Sequence, residues 1–304
     1  MRYYATFASG FQEVVRDILQ ETLPKSKIIE LLDGSVVFES SDAPNVKFAN
    51  NLFQVIDIMT EIENLDDFIK KLLTKKLEFS EKPKSAKTFR IVTSKHNRLV
   101  AVDNTLKQKL EKVIARQTGM KLNRLGADVE FWLLERSEGL ILFLQRLTKH
   151  KDWEKILNKG ELQPPIAYML NFLSETKQGE LYLDPFCGSG ALPKNRNTDF
   201  PKAKVIASDI AKGVDFFTHD FGICFDKIVT DPPWGKFDTA LDINQFYKNF
   251  FMKVAALLNK DGVLVLLTSR DIEINKFADG FKTAIKLDVL ISGKKANIYK
   301  MKKL

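Results

Sequence analysis

Two short segments of this 304-residue sequence combine residue types that can do chemistry. The first, Asp184-Pro185-Phe186-Cys187-Gly188-Ser189-Gly190, ends the strand-like stretch Glu180–Leu183. Glycines at 188 and 190 let the backbone turn tightly and approach a ligand where a Cβ would collide, and such strand-end loops line the cleft of open α/β sheets. Nineteen residues after Gly190, Asp209 follows the strand-like Lys204–Ser208, where a carboxylate can accept hydrogen bonds from both ribose hydroxyls of a nucleoside. The second segment, Asp231-Pro232-Pro233-Trp234-Gly235, directly follows the strand-like Asp226–Thr230. Two prolines cannot extend a strand ladder, and they fix the backbone so that its carbonyls point out of the sheet end. Asp231 and the Pro232 carbonyl can then accept from an exocyclic amine and aim its lone pair at an electrophile, while Trp234 stacks on the base. Asp231, Pro232, Pro233 and Trp234 are therefore the catalytic candidates.

Three units must position these segments. Residues 1–75 read as a small α+β unit. They hold a strand from Arg2 to Phe7, a turn at Ser9-Gly10, and an amphipathic run through Phe11, Val14, Val15, Ile18, Leu19 and Leu23. The stretches Lys27–Leu32 and Ser35–Glu39 form a hairpin around Asp33-Gly34, and a second helix-like segment covers Val46 to Met59. Residues 76–150 contain a strand at Phe89–Val92, a helix over Asn104–Gln117 with Lys107, Lys109, Lys112 and Arg116 outward, and strands at Val129–Leu134 and Leu140–Leu144. A linker over 151–165 leads into the third unit, 166–304. There a helix at Ile166–Leu173 precedes strands at 180–183, 204–208, 226–230 and 262–268, with a helix at 244–258 before the last. Strands at 287–292 and 295–300 close the chain around Gly293-Lys294. The pattern predicts a doubly wound sheet of mostly parallel strands with a terminal antiparallel hairpin.

Composition narrows the class. With 44% hydrophobic and 28% charged residues, the chain is an ordinary folded protein. Cys187 and Cys224 cannot make a disulfide scaffold, and three histidines give no zinc-spaced cluster, so no metal is expected and a reducing cytoplasm fits. No apolar run has membrane-span length, and Met1–Phe7 lacks a signal-peptide core, so no membrane partner is expected. The net charge of +8 is concentrated: Lys82 to Arg124 holds twelve Lys/Arg against Asp103 and Glu111, leaving about −2 on the other 261 residues. Such a block is the footprint of a polyanion binder, with Lys87, Arg90, Lys107, Lys112, Arg116, Lys121 and Arg124 as candidate RNA contacts.

The segments Asp184–Gly190 and Asp231–Gly235 resemble class I, S-adenosylmethionine-dependent amino-methyltransferases. The upstream Tyr4–Val14 stretch, the basic unit and Gly160–Ala167 are similar to the THUMP-domain RNA methyltransferases. The resemblance implies a shortened Rossmann-like class I sheet preceded by ferredoxin-like (1–75) and THUMP RNA-binding (76–150) domains. It also implies S-adenosylmethionine held by Asp184, Pro185, Phe186, Gly188, Gly190 and Asp209, with Asp220 at the adenine amine. The activity it implies is methylation of guanosine N2 in tRNA by direct attack on the sulfonium methyl.

The sequence departs from that pattern twice. Pro193 falls two residues into the helix expected after the glycine loop, which predicts that the helix is short or late. From Asp209 to Asp231 there are 22 residues, too few for the usual crossover, so Val214–Thr218 is not expected to be a third strand. Adenine-N6 methylation, and RNA binding without catalysis on a degenerate domain, are the alternative readings.

Overall fold

The computed structural model describes residues 1–41, 44–60, 63–79, 86–148, 161–235 and 242–304. Lys82 and Lys84 of the basic block, and residues 151–160 of the expected linker, lie outside the described residues. Among the described residues the strands form two sheets, of nine and six strands.

The larger sheet begins with β1 (Arg2–Thr6), β2 (Lys27–Leu32), β3 (Ser35–Glu39) and β4 (Asn51–Met59). It continues with β5 (Thr88–Lys95), β6 (Arg98–Leu99), β7 (Lys121–Leu122), β8 (Val129–Glu135) and β9 (Ile141–Arg146). Its order is β2-β3-β1-β4-β9-β8-β5-β6, with β7 beside β5. The antiparallel β4–β9 pair, with Val55 opposite Leu144, joins the first 75 residues to the next 75 in one continuous ladder.

The helix expected over Val46–Met59 is instead this central strand. Strands flank β4 on both edges and core side chains cover both its faces: Leu52 belongs to one cluster, Phe53 and Val55 to another. A strand buried on both faces has no period-2 alternation to betray it. The helix Leu65–Leu72 was not expected, although Asn64 caps it by accepting from the Asp67 N–H and Leu65, Phe68, Ile69 and Leu72 are buried. The basic helix Asn104–Thr118 forms where expected, capped by Asp103 and ended by Gly119 at φ +69°.

The second sheet contains β10 (Leu181–Asp184), β11 (Lys204–Ala207), β12 (Phe225–Thr230), β13 (Leu258–Thr268), β14 (Phe281–Ile291) and β15 (Lys294–Lys303), in the order β11-β10-β12-β13-β15-β14. The first four are parallel, and β15 inserts antiparallel between β13 and β14. Helices Pro164–Leu173, Ala191–Asp199, Ile243–Leu257 and Asp271–Phe277 complete it. The helix after the glycine loop is short, as one of the two expectations had it, and starts at once rather than late: it spans the 9 residues Ala191–Asp199. Pro193 is its third residue, where the missing N–H would have no intrahelical acceptor. Between β11 and β12 the chain makes one 3-10 turn, Ile210–Lys212, and no strand, so β11 is the sheet edge.

One apolar core joins the two sheets, running from Val14 and Ile18 through Ile166 and Met169 to Val229, Val265 and Ile298. At Gly10 the contact is backbone on backbone: a Cβ there would lie 2.0 Å from the Asp288 carbonyl oxygen, and φ is +91°. The Ser9 carbonyl accepts from the Leu290 N–H, and Asp33 takes the Gly10 N–H at 2.8 Å. Among the described residues, no helix is long and apolar enough to cross a membrane.

Candidate active site

β10 has β11 on one side and β12 on the other, so the chain direction reverses its progress across the sheet at the carboxyl end of β10. Such a switch point opens a crevice outside the sheet. Asp184 ends β10, Asp209 lies two residues past β11, and Asp231 directly follows β12, so three carboxylates converge on that crevice from separate strands.

The glycine loop is stapled to the end of β11. The Ser208 N–H donates to the Asp184 carbonyl, the Cys187 N–H to the Ser208 carbonyl, and the Ser208 hydroxyl to the Pro185 carbonyl at 3.1 Å. Asp209 accepts from the Gly188 N–H with Oδ2 and from the Ala211 N–H with Oδ1, both at 2.9 Å. Gly188 and Gly190 have φ of +47° and +89°, and a Cβ at either would meet no described atom within 4 Å. Their requirement within the chain is thus conformational, and the space above them is open.

Asp184 is fully buried, its Oδ1 accepting from the Thr230 hydroxyl at 2.9 Å and the Phe186 N–H at 3.3 Å. Burial pushes its carboxyl up to about 7, with Asp231 and Asp209 adding to the rise and the two donors opposing it. Part of Asp231 reaches the surface, yet the protein around it raises its carboxyl to about 7, against the hydrogen bond from Trp234. That bond, indole Nε1 to Oδ1, is 2.8 Å; among the described residues Oδ2 has no partner.

Trp234, expected to stack on the base, is half-exposed: it packs on the inter-sheet core with its indole N–H on Asp231, and its carbonyl accepts from Arg270 Nε at 2.7 Å. Pro232 is buried and Pro233 exposed beside them. Asp220 sits in an exposed turn, its Oδ1 accepting from the Gly222 N–H, and no hydrogen bond among the described residues ties it to the glycine loop. The segment before it does reach the loop: Phe216 and Phe217 pack on Phe186. Thr230, Arg270 and the buried Tyr247–Thr268 hydroxyl pair (2.6 Å) carry no motif and went unanticipated. Only the position of Thr230 and Thr268 at the ends of β12 and β13, with Arg270 two residues beyond, could have flagged them.

The basic candidates divide. Lys87, Lys112, Arg116 and Lys121 are exposed and Lys107 half-buried, with no ion pair among the described residues. Arg90 is committed elsewhere: its Nε donates to Glu130 at 2.9 Å, and Glu130 also accepts from Arg146 and Trp132. Arg124 lies 3.5 Å from Glu111.

Residues 151–198 and 215–293 match the RMKL-like methyltransferase domain family. The break in that match, 199–214, contains β11 and Asp209, the shortened part of the sheet. A protein of Methanothermococcus thermolithotrophicus described as "Probable tRNA (guanine(10)-N2)-dimethyltransferase" is 29% identical over 140 residues, covering 36% of this chain and 83% of that one. TrmN from Thermus thermophilus superimposes with a TM-score of 0.79 at 20% identity, over 100% of this chain and 99% of that chain. SMU.472, crystallised with S-adenosylhomocysteine, gives a TM-score of 0.69 at 13% identity over 98% and 97%. The structural likenesses extend over both sheets and show that the whole chain shares one fold with these proteins.

Proposed function

We propose that this chain, residues 151–198 and 215–293 of which match the RMKL-like methyltransferase domain, is an S-adenosylmethionine-dependent methyltransferase that acts on the N2 amine of a guanosine in tRNA. The observation that carries the reading is the convergence of the Asp184–Gly190 loop, Asp209 and Asp231 on one switch-point crevice. The guanosine and the tRNA rest on the Methanothermococcus relative alone.

The residues present fit the cofactor. The turn of Gly188 and Gly190 leaves open space at the sheet end, and Asp209 beside it offers oxygens for ribose hydroxyls. Asp184, Pro185 and Phe186 hold that loop, Phe216 packs on Phe186 beside it, and Asp220, four residues further on, is the proposed acceptor for the adenine amine. Bound there, S-adenosylmethionine supplies an electrophilic methyl group. The chain supplies the nucleophile's geometry. Asp231 Oδ2 and the Pro232 carbonyl accept from the amine, which draws its lone pair out of the ring and aims it. A carboxyl at about 7 is also a base able to take the proton that the amine sheds once alkylated. Trp234, anchored through Asp231 and Arg270, fixes the wall beside the base. The division of labour is that residues 76–150 grip RNA through Lys107, Lys112, Arg116 and Lys121 while 166–304 do the chemistry.

Incubating the protein with labelled cofactor and tRNA, then digesting to nucleosides, tests the assignment. Label in N2-methylguanosine supports it; label in N6-methyladenosine overturns it.

A further inference from the structure

Along one side of the basic helix lies an open pocket of about 330 Å³ lined by Gln108, Glu111, Lys112, Ala115, Leu122 and Arg124. Glu111 is its unusual member. On a helix otherwise basic outside and apolar inside, this carboxylate is 6% exposed. Among the described residues its Oε1 is buried with no hydrogen-bond partner, and its one ion pair, to Arg124, is stretched to 3.5 Å. A buried acceptor left unmatched costs free energy that any N–H donor in the adjoining cavity would return.

The rim says what kind of donor could arrive. Lys112 and Arg124 line the pocket and are exposed, and Arg116 and Lys121 are exposed close by in the chain, a surface that attracts phosphate. The wall is apolar: Ala115 inside, Leu122 40% exposed at the lip and Leu125 88% exposed just beyond. A phosphate grip, an apolar face and a buried acceptor are together the three contacts by which a single unstacked nucleotide is held.

We propose that this cavity takes one unpaired base of the RNA, chosen for a Watson–Crick edge that donates hydrogen bonds to Glu111. The proposal rests on the reading that the protein acts on RNA. Cytosine offers an exocyclic amine at the corner of its edge that a carboxylate accepts directly, whereas the single N3–H of uracil is flanked by two carbonyls whose oxygens the carboxylate repels. The base lies against Ala115 and Leu122, with its flanking phosphates on Lys112 and Arg124.

The test uses the full chain with fluorescein-labelled single-stranded oligocytidine and oligouridine, read by anisotropy. The wild type is expected to bind oligocytidine about tenfold more tightly, the size of one good base contact. Glu111→Met removes both acceptor oxygens at similar length and should bring the two affinities within about twofold. Ala115→Leu fills the cavity and keeps the carboxylate; it should have the same effect, and it decides the matter if Glu111→Met melts early. Equal wild-type affinities, or a preference that survives Ala115→Leu, overturn the proposal while leaving RNA binding intact. Absence of salt-dependent binding to either oligomer overturns the RNA reading beneath it.

Discussion

Asp184→Asn should make the protein more stable and less active, and the size of the gain should depend on pH. The carboxyl is raised from 3.8 to about 7 by burial, so the folded chain holds its proton more tightly than the unfolded one. Stability from this group is complete below about pH 4 and is lost progressively as pH rises to about 7. At about 1.36 kcal/mol per unit, the full shift corresponds to about 4 kcal/mol. Asn keeps an oxygen for the Thr230 hydroxyl and the Phe186 N–H and never ionises, so the variant escapes the loss. Because Asp231 and Asp209 contribute to the shift, a gain of about 2–4 kcal/mol at pH 8 is expected. Between pH 5 and pH 8 that gain should grow by roughly 2–3 kcal/mol, read from urea unfolding of both proteins at each pH. Methyl transfer should fall at least tenfold at the same time, because the loop's charge has been traded for stability. A gain independent of pH, or no gain at pH 8, refutes the placement of a strained buried carboxyl at the end of β10.

Three further outcomes follow from other parts of the molecule. Asp231→Ala should nearly abolish methyl transfer and leave RNA affinity within a few-fold, by filter binding. In the wild type, kcat/KM should fall about tenfold per unit below pH 7, as the raised Asp231 carboxyl takes up its proton; a flat profile from pH 6 to 8 removes it as base. Replacing Lys107, Lys112 and Arg116 together should flatten the salt dependence of RNA binding by up to about one unit of slope per lost phosphate contact. Gly10→Ala must push the Asp288 carbonyl away and hold alanine at positive φ, so a loss of about 2 kcal/mol or more is expected in thermal unfolding.

The strand-end carboxylates were legible because each sits where an apolar run stops, and that boundary is written in adjacent residues. The Lys27–Leu32 and Ser35–Glu39 strands were read to the residue because Asp33-Gly34 marks their turn. Residues 51–59 read as a helix because the buried run Leu52–Val55 has no period-2 alternation, while the polar Asn51, Gln54 and Asp57 fall three apart, a helical spacing. The ion pair of Arg90 was not legible because its partner is 40 residues away. Only the parallel β5–β8 register sets it opposite Glu130, and register is a property of two strands together. Thr230 and Arg270 were missed for the same reason: each acts through a partner that the fold, not the neighbouring sequence, supplies.

The exposed edge left by the shortened sheet bears on how the protein behaves in concentrated solution. No strand among the described residues covers the outer side of β11, so its backbone groups are a template on which a stray extended chain can add. The strand is only four residues long and is preceded by the exposed Lys202 and opened by the exposed Lys204. Brevity and charge are what discourage such pairing, so these two lysines guard solubility and contribute little to folding.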